Sequence, residues 1–396
     1  MNTKTLFGLF IFILLISSCI TDYRVALSND KKILFVDGSI IADTIVTFHI
    51  TQSFPLSVDT VSDNDFVNDA ILNIIGSNGY KSAPAINQGK GTYQVSVGKL
   101  DDDVEYGIQI AYAGDTYQSA LSKPLYTPEI DSVSWVQPEP LGQVSFYIST
   151  HDDTDRAKFF LWNYTEDWEI TMKDLVLTTL FYIPEKNMLY TDYSMPYYYC
   201  WKKHADYKIA STESLSEDNV INQLLYQLEP GGDRFAELYC VTVTQKAISQ
   251  GAYEYYQDRK KLNEEMGGLF TPQPSELAGN IKCVTNPSKK AMGYVETLKN
   301  ISQKRIFMSL PSSYPKLIWP YWPTQQQEDS CKDIHYFNND LLELGWSYRD
   351  LYLQGYRPVG VGTSLVPDEW KLSTCTDCRA NGGTKTKPDF WPNDDK

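Results

Sequence analysis

The chain has few histidines and lacks the short motifs that mark common catalytic sites. Its four imidazoles belong to His49, His151, His204 and His335. Neither a G-x-S-x-G turn nor an H-E-x-x-H helix occurs in the sequence. Because acid–base and nucleophilic catalysis depend most often on a positioned histidine, we expect no enzyme. One alternative stays open, a pair of carboxylates for glycoside hydrolysis, which no local pattern distinguishes among the 50 acidic residues.

The chain is also poor in positive charge. It has 35 Lys and Arg against 50 Asp and Glu, which gives a formal net charge of -15. A surface that binds nucleic-acid phosphates needs clustered lysine and arginine, so the composition argues against a nucleic-acid partner. The acidic balance is typical of a soluble surface that faces solvent.

The apolar run at the start of the chain is too short for a permanent membrane helix. Lys4 precedes Leu6–Ile16, which has the charge and length of a signal-peptide core. The following Ile16-Ser17-Ser18-Cys19 resembles the cleavage motif of bacterial lipoproteins, in which the cysteine is acylated. We therefore predict a signal peptide at 1–18, an acylated tether at 19–32 and membrane attachment through fatty acyl chains such as palmitate on Cys19.

Short alternating runs of β-branched and aromatic residues predict a mainly β fold. Within 33–128 we predict an immunoglobulin-like β-sandwich, because such runs recur at Ile33–Ile41, Ile45–Ile50, Ala70–Ile75, Thr92–Val97 and Glu105–Tyr112. Alternation resumes at Ile130–Trp135, so we predict a second, fibronectin-like β-sandwich over 129–310 that contains an aromatic insertion between Glu166 and Tyr226.

The stretch Leu238–Val295 is the centre of the second predicted sandwich. A buried strand at Leu238–Thr244 leads into an embedded helix at 249–266, and a further apolar run begins at Ile281. Ser249 is a candidate N-cap, and Gly267-Gly268 is a candidate stop. The apolar spacing predicts one buried helix face, packed against the sheet that the chain leaves and re-enters.

Six of the seven cysteines follow the predicted cleavage site. An even number of cysteines in an exported chain predicts disulfides, among Cys200, Cys240, Cys283, Cys331, Cys375 and Cys378. Cys240 and Cys283 flank the predicted helix on adjacent β runs, so we expect these two to pair. Residues 311–396 hold three cysteines among many Pro, Trp and Tyr, and we predict that they form a disulfide-stapled, irregular C-terminal cap.

Two groups of residues could bind a metal ion, but each also fits a simpler structure, a disulfide in one case and an acidic turn in the other. Cys331, His335, Cys375 and Cys378 have spacings that suit a Cys3His zinc site, but oxidation to disulfides is favoured in an exported protein. Asp152, Asp153 and Asp155 offer oxygen ligands for calcium, but the loop lacks the glycine and distant glutamate of an EF-hand. An acidic turn is favoured there, and we predict neither a metal nor a cofactor.

Two aromatic clusters are candidate binding surfaces for a sugar, a peptide or a protein partner. Trp319, Tyr321 and Trp322 alternate with prolines on a stiff extended backbone. Tyr198 and Trp201 belong to the second cluster. The alternative for both clusters is packing of the cap onto the sheet.

Several motifs occur together in an order that is typical of one protein family. They are Ile130-Asp131-Ser132-Val133, Gln245–Ser249, Gly268-Leu269-Phe270, Gly279-Asn280-Ile281 and the ending Cys375-Thr376-Asp377-Cys378 with Lys387–Trp391. In these motifs the chain resembles, over nearly its whole mature length, the Bacteroidetes outer-membrane lipoproteins called domain of unknown function 4249.

The resemblance implies a surface-facing outer-membrane lipoprotein that assists a SusC-type TonB-dependent barrel in nutrient uptake. The ligand expected from this role is an oligosaccharide or a peptide, and the family provides no catalytic residues to carry over. A cell-surface adhesin or structural module is the alternative, and a glycan or peptide hydrolase is a third.

Overall fold

The fold was analysed in a computed structural model of the chain. The structure describes residues 33–53, 66–139, 142–154, 156–172, 179–183, 185–186, 188–192, 199–212, 220–229, 232–235, 237–265, 279–308, 331, 335–336, 347–359 and 369–392. The predicted signal peptide and tether lie outside these residues.

The first part of the chain forms short strands in which buried and exposed side chains alternate. In β1, for example, Leu34 and Val36 are buried whereas Phe35 and Asp37 are exposed, so one face of the strand points to a core. Each run predicted above for this region forms a strand, and the structure adds a strand at Ile86–Gly89 that the sequence did not indicate. The strands are β1 Leu34–Asp37, β2 Ile40–Ile41, β3 Ile45–Gln52, β4 Ile71–Gly76, β5 Ile86–Gly89, β6 Thr92–Ser96, β7 Tyr106–Tyr112 and β8 Asp115–Ser119.

The middle of the chain contains longer strands. Where the structure describes the region expected as an aromatic insertion, it includes a regular ladder, since β11 (Phe159–Thr171) pairs with β14 (Tyr199–Ser211) from Phe159↔Ser211 to Thr171↔Tyr199. The strands are β9 Ile130–Val136, β10 Val144–Thr150, β11 Phe159–Thr171, β12 Thr179–Ile183, β13 Met188–Asp192, β14 Tyr199–Ser211, β15 Val220–Leu228 and β16 Tyr239–Ile248.

The last part of the chain mixes helices with short strands. Its elements are α1 Gln250–Glu265, β17 Ile281–Cys283, β18 Ala291–Met292, β19 Thr297–Leu298, β20 Ser302–Met308, β21 His335–Tyr336, α2 Tyr348–Leu353, β22 Tyr356–Val359, β23 Glu369–Leu372, α3 Ser373–Thr376 and a 3-10 turn at Cys378–Asn381.

Two β-sandwiches account for most of the described structure, and the predicted mainly β fold is confirmed. In the first, the sheets β18-β1-β3-β6-β5 and β17-β8-β7-β4 enclose one core. Phe48 and Tyr93 enter this core from one sheet, and Ile108 enters it from the other. In the second, the sheets β14-β11-β16-β20 and β15-β10-β9 enclose a core that includes Trp162 and Phe146.

The segment Ile281–Leu298 pairs with the first sandwich, which differs from the expected boundaries at 33–128 and 129–310. Strand β17 pairs antiparallel with β8, β18 pairs parallel with β1, and β19 pairs parallel with β2. The chain thus builds most of the second sandwich, returns to the first and leaves it again with β20. Local alternation indicates that a strand is half-buried but does not identify the strand with which it pairs. The pairing of this segment with the first sandwich could therefore not be predicted from the sequence.

Helix α1 follows β16 directly, and the predicted N-cap is confirmed. The amide of Ala252 donates to Ser249 Oγ over 3.2 Å, which satisfies one of the free amides of the first turn. The buried helix face packs through Ala252 against Leu161 and Ile248 of the second sandwich. The predicted stop at Gly267-Gly268 lies outside the described residues.

The expected pairing of Cys240 with Cys283 is wrong. Disulfides join Cys200 to Cys378 and Cys331 to Cys375. Cys240 lies in β16 of the second sandwich and Cys283 in β17 of the first, and both are buried free thiols. The two β runs that flank α1 in the sequence therefore belong to different sheets, which keeps their cysteines apart.

The C-terminal segment is held to the second sandwich by disulfide and aromatic contacts. Cys378, in the 3-10 turn, is joined to Cys200 at the start of β14. Trp391 packs against Trp201 and Cys240, and the guanidinium of Arg305 lies 3.6 Å from the ring centre of Phe390. The cap also adds β21, β22 and β23 to a sheet with β12 and β13, so part of it is regular.

Candidate functional site

Of the five aromatic residues that the sequence singles out as binding candidates, the structure describes Trp201. Trp201 is only 9% exposed, and its backbone exchanges two hydrogen bonds with Thr384 of the cap. Its ring therefore packs the cap onto the sheet, which is the alternative considered above. Tyr198, Trp319, Tyr321 and Trp322 lie outside the described residues, as does Cys19.

The acidic loop is a turn stabilised by one aspartate. Asp152 is 7% exposed, and its carboxylate accepts hydrogen bonds from the backbone amides of Thr154, Arg156 and Ala157. Desolvation raises the pKa of Asp152, but the hydrogen bond from the Thr154 hydroxyl and those from the three amides outweigh it, so the pKa falls below its usual value. The carboxylate thus already has donors from its own loop, as expected for an acidic turn. Asp155 lies outside the described residues.

The cysteine arrangement does not suit zinc. Cys331, Cys375 and Cys378 are all oxidised in disulfides, so they offer no thiolate to a metal. Cys375 and Cys378 have different partners, which also argues against a C-x-x-C redox pair. Within the part of the chain that the structure describes, no three His, Cys, Asp or Glu side chains are grouped closely enough to hold a metal ion.

A buried ionic cluster in the second sandwich has a structural role. The Glu166 carboxylate is 2% exposed and accepts hydrogen bonds from Arg234 Nε at 2.8 Å and from the Tyr239 hydroxyl at 2.7 Å. The Tyr226 and Tyr239 hydroxyls lie 2.8 Å apart, and desolvation raises the pKa of both phenols. Because the buried carboxylate is paired and hydrogen-bonded, this cluster supports the core.

An open cleft of about 290 Å³ lies where α1 meets the first sandwich. One wall is the outward face of β1 and β3. Two cross-strand pairs form this wall, Phe35 opposite Thr51 and Asp37 opposite His49. Residues that face each other across antiparallel strands lie close enough to act on one ligand, so this wall combines an aromatic ring with a carboxylate, an imidazole and a hydroxyl.

The second wall is the side of α1 that faces the first sandwich. Tyr255, Tyr256 and Arg259 line the cleft, and the rings of Tyr255 and Tyr256 meet edge to face with centroids 5.4 Å apart. The guanidinium of Arg259 lies 5.7 Å from the ring centre of Tyr207 on β14. This wall therefore presents two phenol rings and a cation.

The third wall is the returning segment Met292–Tyr294. Gly293 has a φ of +136°, and a Cβ added there would lie 2.0 Å from the carbonyl oxygen of Val36. Only glycine allows the segment to run so close to β1 in this backbone conformation. The Tyr294 ring lies 5.7 Å from that of Tyr255, so the third wall contacts the helix wall.

A buried polar network fixes α1 beside the first sandwich. The backbone amide of Ser249 donates to Glu296 Oε1 at 3.0 Å, and the Ser249 hydroxyl donates to the same oxygen. Lys246 Nζ donates to Ser39 Oγ at 3.2 Å. Burial raises the pKa of Glu296 and lowers that of Lys246, since both charged forms lose hydration. These bonds link β16 and the start of α1 to the residues just before β2 and β19 and so shape the cleft.

The cleft tyrosines lie between opposite charges. Burial raises the pKa of Tyr255, and the neighbouring Arg259 opposes this rise while Asp37 adds to it. Burial also raises the pKa of Tyr256, with Asp37 raising it further and Arg259 lowering it. Both phenols therefore remain protonated at neutral pH, and the fields of Asp37 and Arg259 reach both rings.

The chemistry of the cleft favours binding. Ligand sites are usually concave, mostly apolar and marked by a few polar groups, and this cleft matches that description at the small end of the size range. Asp37 is the sole carboxylate among the described residues that line it. The carboxylate pair of a glycoside hydrolase is thus not brought together here.

A second, smaller cleft of about 240 Å³ lies on another part of the junction and has no aromatic wall of comparable extent. Its lysines are engaged by neighbouring acids, since Lys123 pairs with Asp103 and Lys299 with Asp102. The cleft beside α1 is therefore the candidate functional site. Sequence reasoning identified its Tyr255 and Tyr256 only as buried helix positions and His49 only as one of few histidines, because their partners come from distant segments.

Across the described residues, we find no helix with the length and apolar character needed to cross a lipid bilayer.

Comparison with known proteins yields one family and a distant structural likeness. A two fibronectin type-III domain segment from chicken tenascin is similar at 10% sequence identity, covering 55% of this chain and 91% of that one with a TM-score of 0.16. No curated protein matches the chain. The model of one family matches residues 20–304, so the C-terminal motif Cys375-Thr376-Asp377-Cys378 lies beyond the match. Because this match covers more than half of its length, the chain belongs to the family described as Domain of unknown function (DUF4249).

Proposed function

We propose that the protein is an outer-membrane lipoprotein that captures a small ligand for a SusC-type TonB-dependent barrel. In this proposal Cys19 carries the acyl anchor, and the two sandwiches hold the binding cleft at the bacterial cell surface. The observation that carries the proposal is the cleft beside α1, with its three aromatic walls and its two opposite charges.

The cleft favours capture over the other functions considered. An adhesin or a structural spacer needs an extended contact face, whereas a concave site of about 290 Å³ suits a small molecule or one end of a longer one. A glycoside hydrolase needs two facing carboxylates, and the cleft is lined by Asp37 alone among described acidic residues. The signal sequence and the Cys19 motif support delivery to a membrane surface.

The test is purification of the tagged full-length chain from detergent-solubilised outer membranes. We expect a large TonB-dependent barrel to co-purify in comparable amount, and the protein to incorporate labelled palmitate. A Cys19→Ser variant should lose the label, the outer-membrane location and the barrel, because the acylated thiol is absent. A Ser18→Ala variant, which keeps a small residue before the cysteine, should behave as the original chain.

Two results would contradict the proposal. The first is recovery of the chain without any large barrel after growth on several nutrient sources. The second is an unlabelled Cys19→Ser variant that still fractionates with the outer membrane.

A further inference from the structure

The two charged groups of the cleft form no ion pair within the described residues, although the guanidinium of Arg259 lies 5.7 Å from the ring centre of Tyr207. These groups are Asp37 and Arg259, which both line the cleft. The nearby Lys246 donates its hydrogen bond to Ser39 instead. Elsewhere at the junction charges are satisfied, as in the Glu296 carboxylate that accepts from Ser249. Because the Asp37 carboxylate and the Arg259 guanidinium face one cavity without forming an ion pair, both can bind a ligand that carries one positive and one negative charge.

Apart from His49 and Thr51, the rest of the lining is mainly apolar or aromatic. Phe35 and Met292 contribute hydrocarbon and thioether surface, and Tyr255, Tyr256 and Tyr294 contribute rings. Thioether and phenyl groups bind apolar side chains through dispersion attraction, and the flexible methionine can adjust its shape to the ligand. This lining therefore favours a ligand with an apolar side chain between its charged ends.

We infer that the cleft binds a short apolar peptide or amino acid through its free ends, with Asp37 receiving the ammonium group and Arg259 the carboxylate. The inference rests on the proposed function, for which it names the captured ligand. The planar guanidinium matches a carboxylate with two parallel hydrogen bonds, and an aspartate accepts from an ammonium group in a charge-assisted bond.

A neutral sugar fits this lining less well. It would cover Asp37 and Arg259 without neutralising either charge, and covered charges need an opposite charge or several hydrogen bonds to offset lost hydration. The size of the cleft also limits the ligand, because about 290 Å³ is at the small end of known ligand sites. A dipeptide or the free ends of a similarly small zwitterion meet both conditions.

The test is calorimetric titration of the purified full-length lipoprotein in detergent with four probes. These are dileucine, N-acetyl-dileucine, dileucine amide and the neutral sugar maltotriose. We expect dileucine to bind, and each blocked form to bind about tenfold more weakly, because each lacks one charge-assisted contact. Maltotriose should bind more weakly than either blocked peptide.

Substitutions then assign each end of the ligand to its residue. With Asp37→Asn, dileucine and N-acetyl-dileucine should bind equally, while the amide should still bind more weakly than dileucine. With Arg259→Gln, dileucine and dileucine amide should bind equally, while acetylation should still weaken binding. Asp258→Asn and Lys260→Gln are matched controls, because both are exposed on α1 outside the cleft, and they should reproduce the original pattern.

Each remaining outcome overturns the inference. These are preference for maltotriose, no binding of any probe, or equal binding of free and blocked dileucine by the original chain. If the chain still co-purifies with a barrel in such a case, the assigned ligand is wrong and the proposed function stands. If dileucine binds as expected but no barrel co-purifies, the ligand assignment stands and the transporter role is wrong.

Discussion

At the scale of single residues, the junction separates charges that hold the fold from charges that face the cleft. Glu296 is 4% exposed and bonded to Ser249, so it cannot reach a ligand. Asp37 is exposed on the outward face of β1 and belongs to the cleft wall. The two acids thus differ in hydration, and the burial of Glu296 should couple folding to pH.

Glu296→Gln should remove a pH dependence of stability. In the unfolded chain this carboxyl has its ordinary pKa of 4.5, and burial raises the pKa in the folded state. Between those two values the folded protein holds a proton that the unfolded chain has released. Stability therefore falls as the pH rises through this window, and the loss is complete above the folded pKa. Glutamine keeps an acceptor for Ser249 but does not titrate.

The measurement is thermal unfolding of both proteins from pH 4 upward, using the pH range that begins near the ordinary pKa of 4.5. The melting temperature of the original chain relative to Glu296→Gln should decrease with rising pH and then level off. Glu105→Gln, at an exposed site, should show no such trend. A difference that grows with pH would refute the assigned direction of the shift.

At the scale of elements, α1 is shared between the two sandwiches. Its buried face packs on Leu161 and Ile248 of the second sandwich, while its first turn is bound through Ser249 to Glu296 beside β19. The returning segment then lies against β1 and completes the cleft. Because α1, β1 and the returning segment come from separate parts of the chain, their close approach here depends on small residues such as glycine.

Gly293→Ala should destabilise the protein by about 2 kcal/mol or more, since it combines a strained backbone with an overlap. The φ of +136° suits glycine, and the added methyl group would lie 2.0 Å from the Val36 oxygen. Urea unfolding should show a lower midpoint. Gly98→Ala is the matched control, because nothing lies within 4 Å of its added Cβ, and we expect a change within about 0.5 kcal/mol. Equal effects of the two changes would show that the approach to β1 is not required.

The positions of strands and of the helix start could be predicted from the sequence more readily than the pairing of the strands. Leu34–Asp37 and Ile45–Gln52 alternate clearly, and Ser249 marks the helix start, so their positions agree with expectation. The strand Ile281–Cys283 was also expected near its place, but as part of the second sandwich. Its pairing with β8 depends on contacts between residues more than 150 positions apart, which no local period records.

At the scale of the whole molecule, the chain crosses between the sandwiches repeatedly, and the crossings are tied together. Asn300 accepts from the amide of Thr127 at 3.1 Å and donates to its carbonyl oxygen at 2.6 Å, which joins the segment before β9 to the segment before β20. The amide of Leu125 donates to the carbonyl of Thr297 nearby. Because several chain segments connect the two sandwiches and are bonded to one another, the sandwiches are not joined by a single free linker. A cleft at their junction can therefore keep its shape.

The site could not be predicted because it exists only after the whole molecule folds. Asp37, His49, Arg259 and Gly293 belong to β1, β3, α1 and the returning segment, and no motif joins them in the sequence. The aromatic runs that are conspicuous in sequence are different residues. Trp201, in one of them, packs the cap, since a large ring is as useful for burial as for binding.

The reactivity and pairing of the cysteines test whether β16 and β17 belong to different sandwiches. The disulfides link residues 178 and 44 positions apart, so both hold the C-terminal segment. Cys240 and Cys283 are buried, and burial raises the pKa of Cys240 to about 12, which suppresses the reactive thiolate. We expect iodoacetamide to modify neither thiol in the folded chain, both thiols after unfolding in urea, and all six after reduction of the unfolded chain.

Peptide mapping by mass spectrometry distinguishes this arrangement from the one that sequence proximity favours. Cross-linked peptides should join Cys200 to Cys378 and Cys331 to Cys375, and a Cys283→Ala variant should keep both. A cross-linked peptide containing Cys240 and Cys283 would place β16 and β17 side by side. It would then remove Ile281–Leu298 from the first sandwich, and with it the third wall of the cleft.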